Sequence, residues 1–400
     1  MVGVDGIFDS FARESIFKNK SVLQANYNPE IITHREKQID TIASILAPCL
    51  RMEKVSNLFV YGKTGTGKTL SVQYIKEKLL ERAKAQNVNL TIEYINCKLK
   101  KIADTEYRIL AELIRKLGGT IPDTGLPTEV VYNRFIELLE SKKQMFILVL
   151  DEIDQAIKKI SSDFLYNLTR LNSELSQTQI SLIGISNDLT FLDNIDPRVR
   201  SGLSEEEVVF APYNAPQLQD ILKERVKIAF RTDVVKDGVL EKCAALAARE
   251  HGDARRALDL LRIAGELAER ESKKEITLEY IDKANEKIER DKILDVVETE
   301  PKQFQLTLLA IMNLLESNNH PKIFTGDIYN TYQELCKKTS TEILTQRRVG
   351  DIIAEFDMLG LINALVISKG RYGRTREVKL AIPPALVGKV KKILLDSLAL

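Results

Sequence analysis

The sequence predicts an α/β protein in three parts: a parallel sheet, a helical domain and a C-terminal winged helix-turn-helix. Three observations predict it. Short apolar, β-rich runs alternate with helix-period stretches through the first half of the chain. The strand signal then disappears from Ala215 to about Ile293. In the last hundred residues, three helical segments precede two β-type runs separated by a basic turn.

The runs Leu58–Tyr61, Thr91–Ile95, Met145–Leu150, Ile180–Ile185 and Val208–Phe210 are continuously apolar, as strands covered on both faces must be. Helix-period stretches at Leu70–Ala85, Glu106–Leu117 and Glu129–Leu139 lie between them, the pattern of a parallel sheet with crossovers. An N-terminal extension (1–20) and a sheet domain (21–212) with a helical insertion (106–139) follow from this. A helical domain spans 213–295, and the charged stretch Asp291–Pro301 is expected to be a linker. In 301–400 the helices Gln305–Glu316, Asp327–Cys336 and Gln346–Leu359 lead to Ile362–Ser368 and Glu377–Ile382, the order of a winged helix.

Composition excludes several classes. With 400 residues, 44% hydrophobic and 29% charged, the chain is globular and too long for one core. Lys and Arg total 58 against 57 Asp and Glu, which excludes a uniformly basic coat or an acidic tail protein. Cys49, Cys97, Cys243 and Cys336 form no C-x-x-C pair, and the three histidines form no ligand pair. A reducing compartment is expected, without a disulfide framework or zinc site. No signal peptide or membrane span is read, so a cytoplasmic, nucleoid-associated protein with no membrane partner is expected.

GKTGTGKT at 62–69 fits G-x-x-x-x-G-K-[ST] between a strand and an amphipathic helix, the context a phosphate-binding loop requires. Gly62, Gly65 and Gly67 let the backbone approach phosphate, with Lys63, Thr64, Thr66 and Leu70 completing the turn and helix start. Lys68 can reach the β- and γ-phosphates, and the Thr69 hydroxyl can ligate Mg²⁺. ILVLDEID at 147–154 is an apolar strand ending in carboxylates: Asp151 suits Mg²⁺, and Glu152 suits the deprotonation of an attacking water. An acidic strand end alone is commonly solvated surface, and Asp154 equally suits a helix N-cap. Asn187, ending the next strand, suits a γ-phosphate contact or a turn. Arg255 and Arg256 in GDARRAL begin a helix, where a positive charge opposes the macrodipole; they suit either a nucleotide contact or a solvated pair.

GKTGTGKT, VLDEID, GISND, DPRVRSGL and GDARRAL, in this order and spacing, resemble the AAA+ ATPases of replication initiation. The family is that of the archaeal origin-recognition and cell-division-control initiators, related to the eukaryotic origin recognition complex. SIFKNKSVLQANYNPEIITHREKQI (15–39) resembles its adenine-site segment, and RYGRTR its wing. The resemblance covers about residues 13–385. It implies an AAA+ P-loop parallel sheet, a helical lid domain and a winged-helix domain that binds DNA, with ATP or ADP between sheet and lid. It assigns Lys68 and Thr69 to Walker A, and Asp151 and Glu152 to Walker B. Asn187 and Arg255 become sensors, and Tyr27, Pro29, His34, Arg35 and Tyr213 adenine or ribose contacts. Gly202 stands where many AAA+ oligomers carry an arginine finger, with Arg198 and Arg200 nearby. Slow ATP hydrolysis and a nucleotide switch are therefore expected.

Residues 301–400 carry 14 Lys and Arg against 9 Asp and Glu, a net of +5 that leaves the first 300 residues at −4. Thr345, Gln346, Arg347 and Arg348 begin the expected recognition helix, where a winged helix meets base edges. Arg371, Tyr372, Gly373, Arg374 and Arg376 are read as a turn suited to a minor groove or phosphates; a protein-binding winged helix with a solvated basic loop has the same pattern. The resemblance adds a second DNA contact at the insertion, near Pro122, Thr124 and Gly125, where a plain surface loop is the alternative. The expected partners are double-stranded origin DNA, a replicative helicase and further initiator copies on DNA. A nucleotide-gated winged-helix transcription or signalling regulator is the alternative function.

Overall fold

The computed structural model describes residues 15–98, 105–122, 124–160, 163–191, 193, 195–203, 205–317, 323–368 and 374–400. They form two compact units, 1–281 and 282–400.

In the first unit, β1 (Asn57–Gly62), β2 (Leu90–Asn96), β3 (Gln144–Asp151), β4 (Thr178–Ser186) and β5 (Glu205–Phe210) form one sheet in the order β2-β3-β4-β1-β5. Every pairing in it is parallel. Successive side chains alternate faces, so each apolar run feeds two cores. Leu58, Val60, Ile147 and Val149 pack with Ile42, Val72, Ile75 and Leu79 on one face. Phe59, Phe146, Leu148 and Leu150 pack with Ile109, Leu113, Val131 and Phe135 on the other. The insertion, helices Glu106–Lys116 and Thr128–Glu140, thus covers one face of the sheet.

One carboxylate fastens that cover. Glu140 accepts from the Ser176, Gln177 and Thr178 amides (3.0–3.1 Å) and the Ser176 hydroxyl (2.6 Å). Burial pushes the carboxyl pKa up, but the four donors outweigh it and hold the group at about 2. The folded-state pKa lies below the unfolded one, so this stability is full above the ordinary carboxylate range and is lost as pH falls towards 2. Glu140→Gln is expected to lower the melting midpoint at neutral pH and to flatten the acid limb of a melting-temperature–pH profile; an unchanged acid limb would remove this role.

The lid comprises helices Ala215–Ala229, Val239–Arg249 and Ala254–Arg270. The first begins with a capping box between Asn214 and Gln217. Residues 291–301, expected to be a linker, are instead helical through Thr299 within the single helix Leu278–Thr299. Charge dominates that stretch, but Leu294 and Val297 fall three apart and enter the core of the second unit.

The second unit holds helices Lys302–Ser317, Thr325–Lys338 and Gln346–Met358, an antiparallel sheet in the order β6-β8-β7, and a final helix Pro384–Leu398. β6 is Ile323–Phe324, β7 Ile362–Ser368 and β8 Arg374–Leu380. The final helix buries Leu386, Val390, Leu394 and Leu398, a four-residue spacing the sequence reading did not use. This is a winged helix-turn-helix.

Candidate nucleotide site and nucleic-acid interface

Ligands of parallel sheets bind beyond the carboxyl ends of the strands, and the predicted residues converge there. β1 runs into the loop 62–67 and the helix Lys68–Ala85. Gly65 and Gly67 have φ of +71° and +91°, which an L side chain rarely adopts. A Cβ on Gly65 would lie 1.6 Å from an Asp253 carboxylate oxygen, and one on Gly67 2.9 Å from the Tyr213 hydroxyl. The lid therefore rests on the loop, and the Ala254 amide donates to the Gly65 carbonyl at 3.2 Å.

Lys68 is only 6% exposed. Its ammonium donates to the Gly62 carbonyl (2.7 Å), the Lys63 carbonyl (2.9 Å) and Asn187 Oδ1 (2.8 Å), so Asn187 and the loop lysine meet. Burial lowers its pKa to about 8, although the Asp151 charge works against the shift. Arg255 is exposed at the lid-helix start, close enough that its charge reinforces the shift. Asp253 caps that helix by accepting from the Arg255 and Arg256 amides.

Asp151 ends β3. Its Oδ2 accepts from the Thr69 hydroxyl at 2.9 Å and the Tyr94 hydroxyl at 2.6 Å, and its Oδ1 from the Glu152 amide at 2.9 Å. Tyr94 is the site residue that sequence reading missed. It sits one strand away on β2, and only the β2–β3 register brings it to Asp151. Glu152 has φ +55°, a left-handed conformation unusual for a non-glycine residue, with Lys98 Nζ 3.8 Å from its carboxylate. Asp154 is not an N-cap. It lies in the first turn of Ile153–Ile160, buried, accepting from Ser186 Oγ at 3.0 Å. Among the described residues no cluster of three or more His, Cys, Asp or Glu suits a metal ion. Thr69 and Asp151 are hard oxygen donors close together, which fits Mg²⁺ completed by water and phosphate.

The N-terminal segment packs against the lid and the loop. Tyr27 stacks under the Arg225 guanidinium, 4.6 Å from the ring centroid, and Pro29 is half-buried nearby in sequence. His34 Nε2 lies 3.1 Å from Asp220 Oδ2 on the lid. Arg35, expected at adenine or ribose, is 3% exposed and donates to backbone carbonyls. Its Nε donates to the Thr66 carbonyl (2.8 Å), its Nη2 to the Ala211 carbonyl (2.6 Å), and its guanidinium lies 3.8 Å from the Tyr213 ring centroid. Tyr213 is itself buried against it.

Arg198 pairs with Asp196 at 2.8 Å, and Arg200 with Asp193 at 3.0 Å, both on or beside the helix Pro197–Leu203.

In the second unit, Thr345 caps the helix Gln346–Met358 by accepting from the Arg348 amide. Gln346, Arg347 and Arg348 are exposed on its first turn. Arg374 and Arg376, expected on a turn, belong to β8. Arg376 is half-buried, pairs with Val366 in the β7–β8 ladder and donates to the Gly350 carbonyl of the helix Gln346–Met358. Arg371, Tyr372 and Gly373 lie outside the described residues. In the insertion, Pro122, Thr124 and Gly125 are exposed between the two helices, with Tyr107 donating to the Pro122 carbonyl at 2.8 Å.

Three family models match the chain: an AAA domain over 52–192, a Cdc6 AAA+ ATPase-type lid domain over 219–286, and a CDC6 C-terminal winged helix domain over 295–390. The chain is 51% identical over 395 residues to the ORC1-type DNA replication protein of Thermococcus onnurineus, covering 98% of this chain and 94% of that protein. It is 47% identical over 395 residues to ORC1-type DNA replication protein 1 of Methanosarcina mazei, with the same coverage. Among solved structures, the Aeropyrum pernix ORC1 protein in complex with DNA superposes with a TM-score of 0.83 at 43% identity, over 96% of this chain and 98% of that one. Cdc6p from Pyrobaculum aerophilum shares the fold, with a TM-score of 0.60 at 22% identity over 96% and 99%.

Proposed function

The chain belongs to the family of ORC1-type DNA replication proteins, and from that membership we propose that it is an ATP-dependent initiator that binds origin DNA and helps load the replicative helicase. The observation that carries the nucleotide part is the meeting of Lys68, Asn187, Thr69 and Asp151 at the strand ends beneath the lid-helix start. ATP would lie along the loop with its phosphates between Lys68 and Arg255. Thr69 and Asp151 would hold Mg²⁺, which would offset phosphate charge when bound. Glu152 would take the proton of the attacking water, and Asn187 would orient it.

Slow hydrolysis accords with Arg198 and Arg200 both being held by carboxylates of their own chain. ADP and ATP then act as the two states of a switch, with further copies assembling on DNA.

The DNA reading rests on the exposed Arg347 and Arg348 at the recognition-helix start, supported by the DNA complex formed by the Aeropyrum relative. Arg347→Ala with Arg348→Ala is expected to weaken duplex binding at least about tenfold at moderate salt, since each base or phosphate contact is worth about 1–3 kcal/mol. Fluorescence anisotropy across a salt series checks it, and the log–log salt slope should fall as well. Unchanged affinity and slope would remove this helix as the DNA contact.

A further inference from the structure

We propose that Arg35 is a positioning residue of the phosphate cradle, and that it fixes the Thr66–Gly67 peptide and the start of the lid together without touching nucleotide. The inference rests on the nucleotide reading above. A trans peptide carries its C=O and the following N–H on opposite sides. Arg35 Nε takes the Thr66 carbonyl at 2.8 Å, so the Gly67 N–H is turned the other way. Gly67 at φ +91° has no side chain to stabilise that orientation by packing.

The same guanidinium reaches the other end of the assembly. Its Nη2 takes the Ala211 carbonyl at 2.6 Å, in the segment between β5 and the first lid helix. Tyr213, two residues on, lies under the guanidinium, and its amide donates to the Gly252 carbonyl at 3.3 Å, immediately before the Asp253 cap. One planar group thus joins the loop that would hold phosphate, the chain entering the lid and the lid helix that rests on Gly65. No carboxylate forms an ion pair with Arg35 among the described residues. Burial lowers its pKa, and the Tyr213 hydroxyl opposes that shift.

Lysine is a poor replacement, because Arg35 meets the two carbonyls through separate nitrogens, Nε and Nη2, whereas lysine offers one ammonium nitrogen and no guanidinium plane to set over the Tyr213 ring. The test is stopped-flow dissociation of N-methylanthraniloyl-ADP from the full chain, with ADP and 2′-deoxy-ADP as competitors. Arg35→Lys is expected to release ADP about tenfold faster or more, the worth of one charged hydrogen bond. The affinity ratio of ADP to 2′-deoxy-ADP should stay at its wild-type value. A folded Arg35→Lys protein with wild-type dissociation would overturn the inference, and so would a changed ratio, which would put Arg35 on the ribose. Tyr213→Leu removes the ring but leaves the carbonyl bonds; it should speed dissociation in the same direction, and no change would count against the coupling if Arg35→Lys does not fold. Failure of the wild-type chain to bind the fluorescent ADP at all would defeat the nucleotide reading itself.

Discussion

Lys68→Ala is expected to lower nucleotide affinity by about a hundredfold, because it removes a buried charged donor from the phosphate cradle. The ammonium donates to the Gly62 and Lys63 carbonyls and to Asn187. The substitution therefore leaves two backbone acceptors and the sensor side chain unpaired, and some loss of stability should accompany the loss of binding. The depressed pKa of about 8 adds a signature in pH. Above that value the folded protein sheds this proton while the unfolded chain keeps it up to the ordinary lysine range. The unfolded state then binds more protons, so nucleotide-free stability rises with pH through this window. Phosphate affinity moves the opposite way, because the neutral amine no longer attracts an anion. Titration of fluorescent ADP from pH 7 to 9.5 should show falling affinity in the wild type and a flatter profile in Lys68→Ala. A variant that binds as the wild type does would remove the loop assignment. Duplex affinity should be largely kept, since Arg347 and Arg348 lie in the other unit.

What sequence could and could not convey follows from the range of each signal. The five strands were legible because a two-sided sheet demands unbroken apolar runs, and the loop was legible because close backbone approach demands glycine at fixed spacing. Lys68, Thr69, Asp151 and Asn187 could be placed at one end of the sheet because each ends, begins or directly follows such an element. Tyr94 could not, since it reaches Asp151 across a strand register that no local pattern encodes. Arg35 illustrates a different limit. The resemblance groups it with adenine or ribose contacts, but no local pattern tells that its Nε and Nη2 donate to carbonyls at positions 66 and 211. Charge was misleading at 291–299, where within this stretch of the helix Leu278–Thr299 only Leu294 and Val297 are buried among acidic and basic residues. The near-neutral total likewise hid a division of labour: the +5 of the last hundred residues and the −4 of the rest almost cancel.

Glu152→Gln is expected to stop hydrolysis while leaving ATP bound. The amide is nearly isosteric with the carboxylate, so the cradle formed by Lys68, Thr69 and Asp151 stays intact, but an amide cannot accept the proton of an attacking water. General-base removal costs about a hundredfold to ten-thousandfold in rate. The local backbone explains why position matters as well as charge. Glu152 adopts φ +55°, and its amide is held by Asp151 Oδ1, so its backbone at the strand end is fixed. Holding a non-glycine residue there costs about 1–3 kcal/mol, the kind of strain that functional sites retain when side-chain direction is at stake. Lys98 Nζ, 3.8 Å away, balances the charge without displacing the group. Single-turnover assays with γ-labelled ATP should give a rate constant at least a hundredfold below wild type, on the scale set by that loss of a base. Filter retention of labelled ATP should be equal or greater, because a negative charge facing the γ-phosphate has gone. Wild-type hydrolysis by Glu152→Gln would assign proton abstraction to another group. Loss of ATP retention would instead mean that Glu152 supports the cradle itself, and Asp151, which already receives three donors, would then be its first contact to probe.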